Sequence, residues 1–502
     1  MGIALSRRRF LKISAAAGVG IAATQSLRHL VDASVDITPS VRAKPLDAQR
    51  LPRFRGSADD YPALTRRYPW VRFGEKSQHA VQIANSYDLP DPSDGLRTGG
   101  LPGEHVIDAG GKGMVLPWAP MFDRPTKVYE ADGAVKALAG ASRLYIKDEG
   151  SDASLLYGNK VRKFEFLLPN LAFAGVRKVS THGGIGSNHC AYLALAARYG
   201  AYGPSGESTV REVELMLYPQ EITENVMTKL RLLVACRARL HYLDGDASVG
   251  LSILTEEIKS RNADAGTGAY VPPGGSSPLT VLGHVEAVME LAEQIEGGAC
   301  PLTAPPDYLF VPLGSGATAM GLVLGCQLLG WPTKVIGTCS QDRGPLVRFV
   351  ANGDMTTPFL VKNAEGLLEK ALKWVDVMGL GSGDRPLASA QEMLRRGFAY
   401  DNETWQPEYG RATPEIQREA AKAAASGLVL DTTFTAKSFH TLKVYAEHGL
   451  LEGKTALFWN TYQRFPLDTL LPDDRNWVLA LPEPMRERID AYVYQITHQS
   501  IG

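Results

Sequence analysis

The sequence predicts an α/β protein built on a largely parallel sheet, and three observations support this. Short apolar runs typical of strands alternate with segments of helical periodicity. Glycine-rich loops join several of these strands to the helix that follows. Hydrophobic residues make up 44% of the 502 residues and charged residues 21%, which is enough apolar material for sizeable cores.

The alternation begins at about Pro125. The predicted strands are, in order, "RLYIKDEG", "VRKVSTHGG", "VELMLYP", "RLHYL", "DYLFVPL" and "TKVIGTCS". The predicted helices are the segment beginning at Val161, "NHCAYLALAARYGA", "NVMTKLRLLVACRA", "TVLGHVEAVMELAEQI" and "ATAMGLVLGCQLLG". Pro169 is expected to kink the first of these helices. Because parallel sheets bind ligands at the carboxyl ends of their strands, we expect a site in the glycine-rich loops.

The N-terminal residues 1–33 resemble a twin-arginine export signal. Arg7 and Arg8 precede a short apolar run from Ile13 to Ala23, which is too short to span a bilayer well. A basic N-terminal anchor helix is the alternative. The expected location is therefore periplasmic or otherwise exported, with no stable membrane span once the signal is removed.

Residues 34–120 are rich in proline, glycine, aspartate and arginine, and they predict a loop-rich extension before a compact region over residues 121–502. The net charge of −1 gives no electrostatic reason to expect nucleic acid as a partner. Five cysteines without a CxxC pair predict no metal site. Because their number is odd, at least one is expected to be a free thiol or to pair between chains.

The loop of Gly314, Ser315, Gly316, Ala317 and Thr318 links a strand to a helix. Backbone N–H groups of such a loop can surround an anion, and the helix start adds its dipole. A phosphate site is one interpretation, and an ordinary tight turn is the other.

A second glycine-rich loop, "GGIGSNH", ends in Ser187, Asn188 and His189. Ser187 or Asn188 is typical of a helix N-cap. The functional interpretation is a carboxylate-binding loop. His189 is either a structural histidine or a residue that faces the substrate.

Lys160 follows Gly158 and Asn159 where a loop enters a helix, although the dipole there disfavours cations. One interpretation is a solvated helix end. The other is chemical, because a lysine amine can form a Schiff base with an aldehyde cofactor and later carry a proton.

Taken together, the motifs resemble the pyridoxal-phosphate family of 1-aminocyclopropane-1-carboxylate (ACC) deaminase and D-cysteine desulfhydrase. The resemblance covers roughly Pro125 to Tyr462 and rests on the ordered motifs "GNKVRKFEFLL", "GGIGSNH", "PPGGSSPLTVLGHVEA", "LGSGATAMG", "PEYG" and "DTTFTAKS". It implies the tryptophan-synthase-β-like fold (fold type II), with two α/β lobes in a catalytic region over residues 121–502. The cofactor, pyridoxal 5'-phosphate, would lie between the lobes.

The resemblance also implies residue roles. Lys160 matches the lysine that holds the cofactor, and Arg162 and Lys163 are expected to be structural or surface neighbours. Ser187 and Asn188 match residues that bind the substrate carboxylate, with Asn188 also near the cofactor ring. The remaining matches are Gly314, Ser315, Gly316, Ala317 and Thr318 for the phosphate, Tyr409 for an active-site tyrosine, and Gly274, Gly275 and Ser276 for a loop lining the pocket.

Three positions depart from the family pattern. Phe434 stands where the family usually has a tyrosine in the substrate pocket, and Thr435 stands where the deaminase has a glutamate beside the pyridine nitrogen. Thr461 lies in "LFWNTYQ", where the family usually has a Gly-Gly turn, and it is expected to face the cofactor ring. The neutral Thr435, like His189, is similar to the desulfhydrase side of the family.

The expected function is therefore an exported pyridoxal-phosphate lyase acting on a small amino acid, with D-cysteine as the leading substrate class and a homodimer as the default assembly. Ring opening of 1-aminocyclopropane-1-carboxylate is the first alternative, and β-replacement is another. A non-catalytic protein that binds the cofactor or an amino acid is the alternative of a different class.

Overall fold

The protein is described here from a computed structural model of the chain. The described residues are 44–47, 49, 51, 63–67, 72–73, 115–116, 118–150, 158–173, 175–200, 209–244, 248–249, 252–253, 255–256, 268–341, 358–377, 380, 387–402, 409–474 and 476–499. The predicted export signal, residues 1–33, lies outside them.

The described elements follow one another in the alternating order that the sequence predicts. The first half contains α1 (Ala63–Arg67), β1 (Arg72–Phe73), β2 (Val115–Leu116), β3 (Lys127–Glu130), α2 (Gly133–Ala139), β4 (Leu144–Asp148), α3 (Val161–Phe173), β5 (Lys178–Gly184), α4 (Asn188–Tyr199), β6 (Glu212–Tyr218), α5 (Glu224–Ala235), β7 (Arg239–Tyr242) and β8 (Ala269–Tyr270). The second half contains α6 (Pro278–Glu296), β9 (Tyr308–Leu313), α7 (Ala317–Leu328), β10 (Lys334–Cys339), α8 (Phe359–Val377), α9 (Ala390–Gly397), β11 (Phe398–Asp401), α10 (Pro414–Ala425), α11 (Thr435–Glu447), β12 (Ala456–Asn460) and α12 (Glu483–Gln499). Short 3-10 turns cover Gly158–Lys160, Pro273–Gly275, Leu467–Leu470 and Trp477–Ala480.

Two main sheets organise the fold. One sheet has the strand order β11-β10-β9-β12-β4-β3, and its pairs are parallel except for β3 with β4. The other has the order β7-β6-β5-β8 and is parallel throughout. The chain leaves the larger sheet after β4, forms the smaller sheet, and returns at β9. This confirms the predicted α/β architecture with largely parallel sheets.

Apolar helix faces form cores on the sheets. One core buries α6, α7 and α8 residues with β9 residues, and another joins α3, α4 and α5 to β5 and β6. A third packs α2, α10 and α11 against the remaining face of the larger sheet. Such two-sided covering is typical of parallel sheets and explains their nearly continuous apolar strands.

The predicted strands and helices are confirmed, and α3 continues through Pro169 as one element. Pro169 has no N–H to donate to the carbonyl of Glu165. That carbonyl accepts the N–H of Ala119 at 3.1 Å instead, so the end of the extension compensates for the proline. Among the described residues, we find no helix with the length and apolar character needed to cross a membrane.

Candidate active site

The carboxyl ends of β5, β8, β9 and β12 carry most residues that the sequence singles out. β5 leads into the loop before Ser187, β8 into the 3-10 turn Pro273–Gly275, and β9 into Gly314. Thr461 directly follows β12. The site therefore lies where parallel sheets usually bind ligands.

Lys160 ends the 3-10 turn that opens α3, and its side chain is partly buried. Its Nζ donates a hydrogen bond to Asn159 Oδ1 at 3.2 Å. Burial lowers the pKa of Lys160 to about 8, and the negative charge of Asp431 opposes this shift. A larger fraction of the amine is therefore neutral near pH 7 than for an ordinary lysine, as a nucleophile or base requires.

A chain of polar contacts connects Lys160 to the predicted phosphate loop. Asn159 Nδ2 donates to Thr318 Oγ1 at 3.1 Å, and Thr318 Oγ1 also lies 3.1 Å from His284 Nε2. Asn159, Thr318 and His284 are all buried. These hydrogen bonds fix Lys160 relative to the first turn of α7.

The loop Gly314–Gly316 is tightly folded against its neighbours. Gly316 has φ +103, and a Cβ there would come within 3.1 Å of Ala364 Cα. Ser276 Oγ donates to Ser315 Oγ at 2.7 Å and accepts the N–H of Ala317 at 3.3 Å. The structure thus brings the Gly274–Ser276 loop and the predicted phosphate loop together.

Lys163 contacts the Gly274–Ser276 loop, and Arg162 lies beside it in α3. Lys163 Nζ donates to the carbonyl of Gly274 at 3.0 Å and to Ser276 Oγ at 3.3 Å. Burial and the charge of Lys160 lower the pKa of Lys163 well below its usual value. Lys163 and Arg162 are only 2% and 0% exposed, so the structure excludes the surface alternative for both.

Ser187 and Asn188 stand at the start of α4. Ser187 is the N-cap, because its Oγ accepts the N–H of Cys190 at 3.3 Å. The capping interpretation is therefore correct for Ser187, and it does not exclude a second role. Asn188 Oδ1 is buried and has no hydrogen-bond partner among the described residues.

His189 turns into the protein behind this loop. Its Nε2 lies 3.1 Å from Thr181 Oγ1, and burial, with smaller effects of Lys163 and Lys160, lowers its pKa well below the usual value. A Cβ on Gly275 would lie 2.9 Å from the imidazole Cε1. The structure brings Gly275 and a neutral His189 into contact.

Tyr409 and Phe434 form an aromatic side of the site. Their ring centroids are 5.8 Å apart in an edge-to-face arrangement. A Cβ on Gly184 would lie 2.9 Å from the Tyr409 ring, and one on Gly314 would lie 3.5 Å from the Phe434 ring. Burial raises the pKa of Tyr409 well above its usual value, so its hydroxyl stays protonated at neutral pH.

Asp431 organises the turn that presents Phe434. Its carboxylate accepts the N–H groups of Thr433, Phe434 and Thr435 at 3.0, 2.8 and 3.2 Å. The fully buried hydroxyl of Thr435 donates to Asp431 Oδ2 at 2.9 Å. Thr435 is therefore already engaged with a carboxylate, and any contact of its hydroxyl with the cofactor would compete with this bond.

Thr461 is partly buried and lies close to the turn that carries Lys160. A Cβ on Gly158 would come within 3.3 Å of the Thr461 carbonyl oxygen. The structure therefore brings the end of β12 next to the candidate lysine, while the orientation of the Thr461 side chain toward a cofactor ring stays a prediction.

Several residues of the site were not assigned a role from the sequence. Asn159 lies inside the lysine motif, and Asp431 stands before a helix as a capping residue does, so local signals existed for both. His284 lies within a helix whose pattern is otherwise that of a core, and only its contact with Thr318 identifies it.

The residues present fit the cofactor that the resemblance implies. They include a lysine with a lowered pKa, a glycine-containing loop at a helix start and an unpartnered amide oxygen on Asn188. These groups suit an aldehyde, a phosphate and a hydrogen-bond donor respectively.

Comparisons with known proteins agree with this chemistry. The chain is 30% identical over 353 residues to nocardicin C-9' epimerase of Nocardia uniformis subsp. tsuyamanensis, covering 69% of this chain and 92% of that protein. It is 26% identical over 341 residues to the bifunctional D-cysteine desulfhydrase/1-aminocyclopropane-1-carboxylate deaminase of Arabidopsis thaliana, covering 67% of this chain and 76% of that protein.

This chain is also similar to a solved structure described as an ACC deaminase homologue. The two chains are 26% identical and superpose with a TM-score of 0.51, and the match covers 69% of this chain and 91% of that one. The family profile described as "Pyridoxal-phosphate dependent enzyme" matches residues 120–461. The predicted fold type, the enzyme class and the cofactor are thereby confirmed. This chain belongs to the family of pyridoxal-phosphate-dependent enzymes.

Proposed function

We propose that the protein is a lyase that eliminates the β-substituent of a small amino acid, with D-cysteine as the leading substrate. The products would be a keto acid, ammonia and sulfide. The observation that carries the proposal is the surroundings of Lys160, which is linked through Asn159 to Thr318 of the Gly314–Thr318 loop. The Phe434 ring, which packs against Tyr409, lies beside Gly314 of the same loop.

Pyridoxal phosphate, when bound, supplies a sink for the electron pair that remains at Cα after proton removal. The phosphate would be held by the loop Gly314–Thr318 and by Lys163, and the ring would lie near Asn188. The chain's own residues then supply positioning and proton transfer.

Lys160 Nζ is the proposed base that removes the Cα proton. Proton transfer by a positioned group typically contributes about 10²–10⁴-fold to the rate. As the C–S bond breaks, the electron pair leaves with sulfur as thiolate. The released enamine then takes up water and gives the keto acid and ammonia.

Ser187 and Asn188 would hold the substrate carboxylate at the start of α4. Tyr409 is protonated at neutral pH because of its raised pKa, so it can donate a hydrogen bond but cannot act there as a base. This suits orientation of the substrate or protonation of the leaving sulfur.

Elimination is favoured over ring opening of 1-aminocyclopropane-1-carboxylate by two residues. Phe434 offers no hydroxyl where the family usually has one, and Thr435 is neutral where the deaminase has a carboxylate. Tyr409 is the feature in favour of ring opening. The similarity to an epimerase makes inversion at Cα a further outcome to test, because it also begins with removal of the Cα proton.

The decisive experiment compares the purified holoenzyme with a Lys160→Ala variant. The parent is expected to show a cofactor absorbance band that is absent from the variant, and to release sulfide and pyruvate from D-cysteine. L-Cysteine and 1-aminocyclopropane-1-carboxylate are the comparison substrates, and chiral chromatography of the recovered amino acid detects inversion.

A Lys160-dependent band without sulfide from D-cysteine would refute the proposed reaction. Products from 1-aminocyclopropane-1-carboxylate alone would establish ring opening, whereas the opposite enantiomer without keto acid would establish inversion. A spectral change with amino acids and no chemistry would establish a binding protein.

We also propose export by the twin-arginine route, supported by Arg7 and Arg8 before the apolar run. An Arg7→Lys/Arg8→Lys double variant is expected to accumulate in the cytoplasm, while the parent is exported. An unchanged distribution would refute the proposal.

A homodimer is our proposal for the assembly, and it rests on the family resemblance. Light scattering of the purified enzyme tests it. A molar mass near that of one 54.4 kDa chain would refute it.

A further inference from the structure

Lys229 is a buried lysine behind the loop that ends in Ser187 and Asn188. It lies on α5, is only 8% exposed, and its Nζ donates to the carbonyl of Gly186 at 3.0 Å. No carboxylate of the described residues lies within ion-pair distance of it. An ammonium group that is buried against a single carbonyl is costly unless a negative charge compensates it.

Gly186, the residue that Lys229 contacts, is held through both of its backbone polar groups. The carbonyl of Gly186 accepts from Lys229, and the N–H of Gly186 donates to Gln220 Oε1 at 3.0 Å. The next residue along the chain, Ser187, caps α4. A change at Lys229 therefore acts directly on the backbone that leads into the first turn of α4.

The charges around this loop favour the binding of an anion. Burial lowers the pKa of Lys229, the charge of Lys160 lowers it further, and the charge of Asp431 opposes both. The Asp431 carboxylate is itself occupied by the N–H groups of its own turn. The positive end of the α4 dipole points to the same loop, which further favours a negative ligand there.

We propose that Lys229 is a positioning residue for the substrate carboxylate. It holds the Gly186 peptide so that Ser187 and Asn188 face the ligand, and it places a positive charge behind them. This inference rests on the proposed function in one respect, namely that the ligand is an amino acid whose carboxylate binds at this loop.

The test measures binding of two amines to the holoenzyme through the change in cofactor absorbance. D-Alanine carries a carboxylate and has no leaving group, whereas ethylamine is the same molecule without the carboxylate. The Lys229→Met variant is expected to bind D-alanine on the order of tenfold more weakly than the parent, with little change for ethylamine.

Lys437→Met is the matched control. Lys437 is likewise buried and donates to a backbone carbonyl, that of Ser340 at 2.8 Å, but on another loop. It is expected to lack the selective loss for D-alanine. Lys229→Gln, which keeps a hydrogen-bond donor and removes the charge, provides a second variant if Lys229→Met does not fold, as judged by thermal melting.

Equal weakening of both amines in the Lys229 variants would overturn the inference, since it would indicate a general structural effect. An unchanged affinity for D-alanine would overturn it as well, and so would a parent enzyme that does not respond to D-alanine. Selective loss of D-alanine binding in an enzyme that releases no sulfide from D-cysteine would support the role of Lys229 and refute the elimination reaction.

Discussion

Gly316 has a backbone conformation on which the phosphate loop depends. Its φ of +103 is outside the range that side chains normally allow, and a Cβ there would lie only 3.1 Å from Ala364 Cα. The loop can therefore bring its N–H groups close to an anion only with glycine at this position. The hydroxyl of Ser276, which accepts the N–H of Ala317, supports the same turn from outside.

We predict that Gly316→Ala weakens cofactor binding roughly tenfold or more, because backbone strain of this kind costs about 1–3 kcal/mol. Titration of the apoenzyme with pyridoxal phosphate measures the affinity. Gly330→Ala is the control, since Gly330 also has a positive φ of +67 but nothing within 4 Å of a Cβ. Equal cofactor affinity in Gly316→Ala and Gly330→Ala would contradict the prediction.

Helix α3 directly follows Lys160 and is anchored by a buried ionic cluster around Arg162. Arg162 Nε and Nη2 donate to the two carboxylate oxygens of Glu149 at 2.7 and 2.9 Å, and Nη2 also donates to Glu290 at 2.9 Å. Lys147 Nζ donates to the same Glu290 oxygen at 2.7 Å. All four side chains are almost completely buried, so each charge depends on its partners.

We predict that Arg162→Met lowers the free energy of unfolding by about 3–5 kcal/mol, because it leaves a buried carboxylate on Glu149 without its partner. Equilibrium denaturation with urea is the measurement. Arg395→Met is the comparison, because Arg395 pairs with Glu392 at the surface and its loss should matter little. If both variants unfold at the same urea concentration, the cluster does not anchor α3 as argued.

Part of the N-terminal extension is bound to the core through one buried carboxylate. The N–H groups of Ala63 and Leu64, at the start of α1, donate to Glu286 Oε1 and Oε2 at 2.9 and 2.7 Å. Arg66 pairs with Glu293 nearby. Burial raises the pKa of Glu286 to about 7, against the opposing charge of Arg124 and the two backbone bonds.

Glu286 should therefore make the stability of the whole molecule depend on pH. Its pKa is raised from 4.5 in the unfolded chain to about 7 in the folded protein. The contribution of Glu286 to the free energy of unfolding is therefore fully present below pH 4.5 and is lost as the pH rises through about 7. Between pH 5 and 8, we expect the free energy of unfolding to fall by on the order of 2 to 3 kcal/mol more in the parent than in Glu286→Gln. Denaturation of both proteins at each pH is the measurement, and equal losses would contradict this prediction.

The same substitution tests the docking of α1, because a glutamine oxygen can replace only one of the two carboxylate acceptors. Trypsin should therefore cut after Arg66 or Arg67 faster in Glu286→Gln than in the parent. Glu392→Gln, at a distant surface pair, is the control and should be cut at the parental rate.

The sequence by itself determined the alternation of strands and helices, the α/β class and the loops that carry Lys160, Ser187 and Gly314. These features follow from local periodicity, glycine-rich turns and capping residues, which a linear pattern records directly. Ser187 illustrates the limit, since one local pattern fits both the N-cap that the structure confirms and a carboxylate site.

The tertiary structure decided which buried residues support the loops of the candidate active site. Lys229 and His284 lie in helices whose sequence resembles ordinary core, and only their contacts with Gly186 and Thr318 distinguish them. The sequence leaves open whether Arg162 is a structural or a surface residue, and its buried partners Glu149 and Glu290, 13 and 128 residues away along the chain, show that it is structural. The physical reason is that burial and charge pairing are non-local, so pKa values and ionic anchors exist only once the sheets and helices have packed.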